Sequence, residues 1–489
     1  MVRGGERAGR GAGRPRSAAG GRIPRGSLGL SEAPSGRSPR RGAGIGPPDP
    51  ALLTDQYELT MARAYRREGL VDEAVFSLFV RDLPPTRNFL VACGLEAVLS
   101  YLEGLRFDRS ALDYLSTLPE FDDAFLEWLS GLRFEGSVRA VPEGTPVFAG
   151  EPLLELRASL PVAQLVETYV MNQVHLQTLL ASKAVRVVAA AAGRPVVDFG
   201  LRRMHGTDAG LKAARAFYVA GVRSTSNLAA GSAYGIPVSG TMGHSYIQAH
   251  DSEEEAFRAF ASLYPGTTLL VDTYDTLAGV RTVARLSAES SEEFRVGAIR
   301  LDSGDLASLS RGSRSILDAA GLAHVKIFAS GGLDEDRIEE LVAADAPIDG
   351  FGVGTGMGVS ADAPALDIAY KLVSYGGEGR IKLSPGKELL PGPKQVRRVE
   401  KDGRAVRDRL TRADEEGAGR PLLVPVMENG RRVEAGRGTL EEAAQRAARE
   451  IDLLPDRLRA LAPVDPDYPV EISERLLADR ARVARRARA

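Results

Sequence analysis

Five short stretches of this chain carry residue types that suit phosphate, sugar-hydroxyl and carboxylate chemistry. Ser330-Gly331-Gly332 and Gly352-Val353-Gly354-Thr355-Gly356 each follow an apolar, β-rich run. Glycines there let backbone N–H groups approach an anion, and a following helix N-terminus adds its positive dipole. Tight turns needing φ > 0 would use the same residues; two such loops in succession favour phosphate. Arg300, Asp302 and Asp305 lie in RLDSGDL. Two carboxylates around a glycine can accept hydrogen bonds from a vicinal diol or hold Mg²⁺ through one or two oxygens, and Arg300 offers a planar donor to a carboxylate or phosphate. The competing reading of Ser303 or Asp305 is a helix N-cap. His244, between Gly243 and Ser245 in GTMGHS, has the small neighbours an accessible nucleophile or proton carrier needs. Arg202 and Arg203, after DFG, add cations. Nothing marks Tyr57 by itself. The other histidines, His175, His205, His250 and His324, read as structural, and no pair has HExxH spacing; GxxxxGK[ST] is absent.

The elements that must position these residues recur. The runs RPVVDFGLRR, GIPVSGTMGHS, TTLLVDTYDT, RVGAIRLDSGD, VKIFASGGLD and IDGFGVGTGMG start about 24 to 41 residues apart. This is the spacing of βα units, so residues 191–375 are expected to form a parallel (β/α) barrel whose strand ends converge on one face. Residues 49–190 read as a mixed α and β block. A helix is expected over residues 55–68 with Thr54 or Asp55 as its cap, then the strand AVFSLFVRDLP and a helix over NFLVACGLEAVLSYLEGL. Short strands follow residue 135, and a long unbroken helix runs over LPVAQLVETYVMNQVHLQTLLASKAVRVVAAAA. Residues 376–489 supply strands and turns, a helix from about Thr439 to Ala462 and a cationic terminal helix with a solvated face, packing on the N-terminal block.

Composition removes several classes. One cysteine, Cys93, excludes a disulfide scaffold and a Cys-rich zinc site. The longest uncharged stretch, residues 224–250, is too rich in Gly, Ser, Thr, Asn and Gln for a membrane helix. Residues 1–48 hold ten Arg, two Glu, 13 Gly and 6 Pro, a charge of +8 that leaves −10 on the other 441 residues of a chain at −2. An acidic body gives no basic face for nucleic acid. The leader reads as disordered and functionally neutral, with a transit peptide or RNA-binding arm as the sharper reading.

Taken together, LLTDQYELTMA, DFGLRRMHGTDAG, STSNLAAGSAYGIPVSGTMGHS, RLDSGDL, GFGVGTGM and KLSPGKELLPGPKQVRR resemble the nicotinate phosphoribosyltransferase family, in order from about residue 50 to about 400. The resemblance implies an irregular α/β barrel packed on a second α+β domain, and a head-to-tail homodimer with shared active sites. It implies a cytoplasmic enzyme of NAD salvage that joins nicotinate to 5-phosphoribosyl 1-diphosphate (PRPP) with coupled ATP hydrolysis. Carried over motif by motif, Tyr57 would contact the nicotinate ring in the partner's site. Arg202, Thr241 and Arg300 would surround the nicotinate and phosphoribosyl groups, and Ser245 and Asp305 would lie close by. Ser330, Gly331, Gly332, Gly352, Gly354 and Thr355 would hold the 5′-phosphate. His244 would be phosphorylated by ATP, with Asp302 beside it. Mg²⁺ would arrive with ATP and PRPP, near Asp302, and no zinc is expected. The alternatives are a nicotinamide phosphoribosyltransferase, whose pocket calls for an acidic acceptor in place of cations; a quinolinate enzyme, which leaves GTMGHS unexplained; and a catalytically inactive nucleotide-sensing barrel.

Overall fold

The β-rich runs of the middle segment pair as expected, with one exchange. The computed structural model describes residues 49–289, 294–384 and 389–488, all within one compact unit; residues 1–48, the leader, lie outside the described residues. Six strands form a curled, wholly parallel sheet in the order Ser224–Thr225, Val196–Asp198, Gly350–Val353, Lys326–Ala329, Val296–Leu301, Thr267–Leu270. Ser224–Thr225 takes the place expected for GIPVSGT. That run holds only an isolated bridge, Thr225 to Val238, because Gly235, Pro237 and Gly240 flank the one residue able to pair. Its two edge strands are not bonded to each other, so the barrel is an open half. The strand interiors are buried between layers: Ile299, Leu301, Ile327, Ala329 and Val353 are all fully enclosed. Runs of this kind read as continuous apolar segments because both faces of a parallel sheet are covered.

A second sheet mixes distant parts of the chain. Glu73–Val80 pairs antiparallel with Pro152–Ser159 on one edge and Ile368–Tyr375 on the other, and Val424–Glu428 extends the sheet beside Ser137–Ala140. Ile368–Tyr375 falls inside the segment assigned to the barrel but hydrogen-bonds here. Its apolar residues match the buried strand Glu73–Val80 along their whole length. A third sheet joins Lys394–Lys401 and Arg404–Arg412 with Arg420–Pro421 and Val470–Ile472.

The helices carry corrections with local causes. The first runs Gln56–Glu68 and stops at Gly69 with φ +74°, while Asp55 occupies its cap position without a side-chain cap bond. The expected helix over residues 88–105 is a strand, Leu90–Val91, followed by Leu95–Gly104, because Gly94 at φ +101° turns the chain. A Cβ on Gly94 would lie 2.5 Å from the Gln173 carbonyl oxygen, so the close approach requires glycine. The long helix is broken at Val166 into Leu160–Leu165 and Glu167–Ala190. The helix expected over residues 439–462 ends at Asp452, with Pro455 before a short turn of helix at Asp456–Arg459. The cationic helix Glu474–Arg488 forms, but it is not wholly solvated: it buries Leu476 and Val483. Glu167–Ala190 is the spine, with Val170, Val174 and Leu179 in the core of the mixed sheet and Leu180, Ala181 and Ala184 in the core of the half-barrel. No described helix is long and apolar enough to cross a membrane.

Candidate active site

The C-terminal ends of the parallel strands surround a cleft of about 510 Å³, where a fold of this type gathers its reactive residues. Phe199, Ser226, Asp302, Ser330 and Gly354 are the first residues beyond five of those strands, and each lines it. Arg202, Thr241, Arg300, Gly331, Gly332, Gly352 and Thr355, all expected from the sequence, also lie along its walls.

The two glycine loops differ in what glycine does. Gly331 has φ +83° and Gly332 φ +63°, a left-handed pair that turns the backbone directly after the strand. A Cβ on Gly331 would fall 1.7 Å from the Asp302 carbonyl oxygen. Gly352 lies within its strand, and a Cβ there would enter the Phe199 ring at 2.4 Å. It therefore makes room for a wall of the cleft. Gly356 presses the two loops together, since its Cβ would meet the Leu333 carbonyl oxygen at 2.7 Å. Thr355 opens the short helix Thr355–Gly358.

Arg300 points a cation at this space. Its Nε is buried without a hydrogen-bond partner. Burial pulls the guanidinium below its ordinary value, and Asp302 and Asp272 oppose that pull; an arginine remains charged in any such setting. Arg202 is exposed in the turn Leu201–Arg203, where its Nη1 donates to the Phe199 carbonyl at 3.4 Å. Arg203 lines the cleft beside it.

Asp302 organises the far side. Its Oδ1 accepts from Ser330 Oγ, joining the RLDSGD loop to the first glycine loop. Its Oδ2 lies 3.8 Å from His244 Nε2. The His244 ring is about 40% exposed at the start of the helix His244–Gln248, and its Nδ1 meets Thr273 Oγ1 at 3.1 Å. Asp272, next to Thr273, accepts from the Asp302 N–H at 2.9 Å and from Ser303 Oγ at 2.7 Å, while its Oδ1 is buried without a partner. Asp272 and Thr273 were not singled out from the sequence. Their signal was position: VDT ends its strand as RLD ends the next.

Four expected residues stand apart from the cleft lining: His244, which approaches it at Asp302, and three more. Asp305 accepts from the N–H groups of Ala307 and Ser308 and from Ser308 Oγ, which makes it the N-cap of Leu306–Ala319, and these bonds hold its carboxyl below the usual range. Ser245 is exposed on the helix that His244 begins. Tyr57 is 47% exposed on Gln56–Glu68, where burial and then Glu167 and Glu58 raise its phenol well above the ordinary value. His175 is structural, accepting from the Leu366 N–H at 2.9 Å. Among the described residues no group of three or more His, Cys, Asp or Glu has metal-holding geometry.

Two family models match the chain: the nicotinate phosphoribosyltransferase N-terminal domain over residues 52–175, and the nicotinate phosphoribosyltransferase family over residues 195–379. The chain is 55% identical to nicotinate phosphoribosyltransferase pncB2 of Mycobacterium tuberculosis, over 88% of this chain and 94% of the relative. It is 42% identical to the nicotinate phosphoribosyltransferase of Bacillus subtilis, over 71% and 73%. Among solved structures, human nicotinic acid phosphoribosyltransferase superposes with a TM-score of 0.78 at 29% identity, covering 88% of this chain and 99% of that one. A nicotinate-nucleotide pyrophosphorylase from Pyrococcus furiosus gives 0.69 at 26% identity, covering 84% and 98%. With the strand-end cleft and its paired glycine loops in place, these matches show that the chain belongs to the nicotinate phosphoribosyltransferase family of enzymes.

Proposed function

We propose that this enzyme joins nicotinate to the ribose of PRPP, forming nicotinate mononucleotide and diphosphate in the cytoplasm, with ATP hydrolysis coupled through phosphorylation of His244. The observation that carries the reading is Arg300: a part-buried guanidinium on the wall of a cleft that the two glycine loops also line. A guanidinium hydrogen bond to an anionic substrate is charge-assisted, which makes it stronger than a neutral one. A carboxylate at Arg300 and a phosphate at Gly331, Gly332 and Thr355 place the two substrates in one cavity, which is the orientation a bond between them requires.

The chain's own groups suit the remaining steps. Asp302, fixed by Ser330, offers an acceptor at the ribose hydroxyls and faces His244 Nε2. Thr273 steadies the ring through Nδ1, and the partly exposed imidazole is open to a γ-phosphate. Positive charge developing at the ribose carbon is stabilised by carboxylates set in advance, with water excluded by the bound substrates. The hard oxygens of Asp302, on the cleft wall, suit Mg²⁺ brought in by PRPP or ATP. Bound there, the ion would offset charge on the diphosphate. The same reading takes the exposed Tyr57 into the site of a second copy in a homodimer.

The test is a parallel turnover assay with nicotinate and nicotinamide, with and without ATP, on the wild type and His244→Ala. Nicotinate mononucleotide should form much faster with ATP. The variant should lose both ATP hydrolysis and acid-labile label from γ-labelled ATP, while retaining slow ATP-independent transfer at high PRPP. Label on the variant would move the phosphorylated residue elsewhere, and preference for nicotinamide would overturn the base assignment.

A further inference from the structure

Behind the two glycine loops lies a charge cluster, buried at Lys183, Arg87 and Glu335, that the reading above does not use. Lys183, on the spine helix Glu167–Ala190, is 3% exposed. Its Nζ donates to Glu335 Oε2 and, at 2.8 Å, to Asp362 Oδ1. Glu335 is the first residue of the helix Glu335–Ala343, two residues after the Ser330–Leu333 loop. Asp362 follows the other loop, shortly after the helix Thr355–Gly358. One ammonium therefore holds the downstream end of both phosphate loops.

Each carboxylate has a second cation. Glu335 Oε1 accepts from Arg186 Nε at 2.9 Å. Asp362 Oδ2 accepts from Arg87 Nη1 at 2.5 Å and from Thr86 Oγ1 at 2.8 Å. Arg87 is 5% exposed, and its Nη2 also reaches Ser360 Oγ at 3.4 Å. The cluster thus sets three cations against two anions. Buried ion pairs are poor devices for stability, since desolvation offsets much of their attraction; their better-attested use is to fix one geometry among several. Here the geometry fixed is the gap between two loops that already meet at Gly356 and Leu333.

We propose that Lys183 is a positioning residue for the phosphate pocket: it sets the separation of the Ser330–Gly332 and Gly352–Thr355 loops, so that their amides fit one phosphate, and it leaves the pyridine side of the cleft unaffected. The inference rests on the reading of these loops as the PRPP 5′-phosphate site. Arg300, Arg202 and Thr241 belong to other segments than the two loops, and the hydrogen bonds of Arg202 and Thr241 run to Phe199 and Met242.

The experiment compares steady-state kinetics of the wild type, Lys183→Met and Asp362→Asn, with each substrate varied in turn, and binding of ribose 5-phosphate by calorimetry. The Asp362 side chain is 26% exposed, so its amide variant is expected to fold even if Lys183→Met does not. Either variant should raise KM for PRPP about tenfold and weaken ribose 5-phosphate by a similar factor, with KM for nicotinate and kcat within about twofold. A cluster that merely holds the fold together would lower the melting temperature or active fraction and leave the PRPP-to-nicotinate ratio of KM values unchanged; that ratio, unmoved in Asp362→Asn, overturns the proposal. If wild-type enzyme fails to turn over nicotinate and PRPP, the functional reading fails first. If it turns over but ribose 5-phosphate binds all three proteins equally, only the role of Lys183 fails.

Discussion

At the residue scale, the cleft divides into groups that meet charge and groups that hold those groups still. Arg300 belongs to the first kind, and its place on the cleft wall gives it a specific expectation. Arg300→Ala should raise KM for nicotinate well above any rise for PRPP, by roughly 1.5–3 kcal/mol, or about 10- to 150-fold; equal effects on both would move Arg300 to the phosphates. Ten of the fourteen expected residues line the cleft, because strand-end position and residue chemistry are both visible in the sequence. His244 was legible from its small neighbours, although only the structure shows that it reaches the cleft through Asp302. Asp305 takes the N-cap that was its competing reading. An aspartate that caps a helix and an aspartate at a sugar site have the same local spelling, and its bonds to Ala307 and Ser308 show the cap.

At the element scale that decision becomes measurable. Asp305→Ala removes an N-cap, so it should cost about 0.5–2 kcal/mol of stability, read as a lower melting temperature or denaturation midpoint. Both KM values should stay within about twofold; a larger rise would return Asp305 to the substrate. The elements themselves were legible where periodicity and flanking chemistry agreed, as in Gln56–Glu68 and in five of the six barrel runs. GIPVSGT has the composition of a strand, but Gly and Pro at its core limit pairing to Val238, and the unassuming Ser224–Thr225 sits in register beside Val196–Asp198 instead. A two-residue strand has no period to detect. The break at Val166 was equally silent, since no glycine or proline marks it.

At the scale of the whole molecule, pairing across long separations could not be read at all: nothing local in Ile368–Tyr375 says that its partner is Glu73–Val80. The assembled fold does carry a pH signature. Burial raises Glu58 to about 7, Thr54 and Thr168 hydrogen bonds opposing it, and burial followed by Asp275 and Asp272 raises Glu253 to about 7. Both exceed the ordinary 4.5, so the folded state binds protons that the unfolded chain has released. Their stabilisation is full below about pH 4.5 and is lost as pH rises through 7. Melting temperature should therefore fall across that window, and the fall should flatten in Glu58→Gln/Glu253→Gln; an unchanged slope in the double variant would place the titration elsewhere. The long-range pairing also has a consequence in time. While the chain is being made, Glu73–Val80 can pair with Pro152–Ser159 early, but its other edge waits for Ile368–Tyr375, nearly 290 residues later. At 5–20 residues per second, that leaves an apolar strand edge uncovered for roughly 15–60 s, long enough for two ribosomes on one message to present the same open edge to each other.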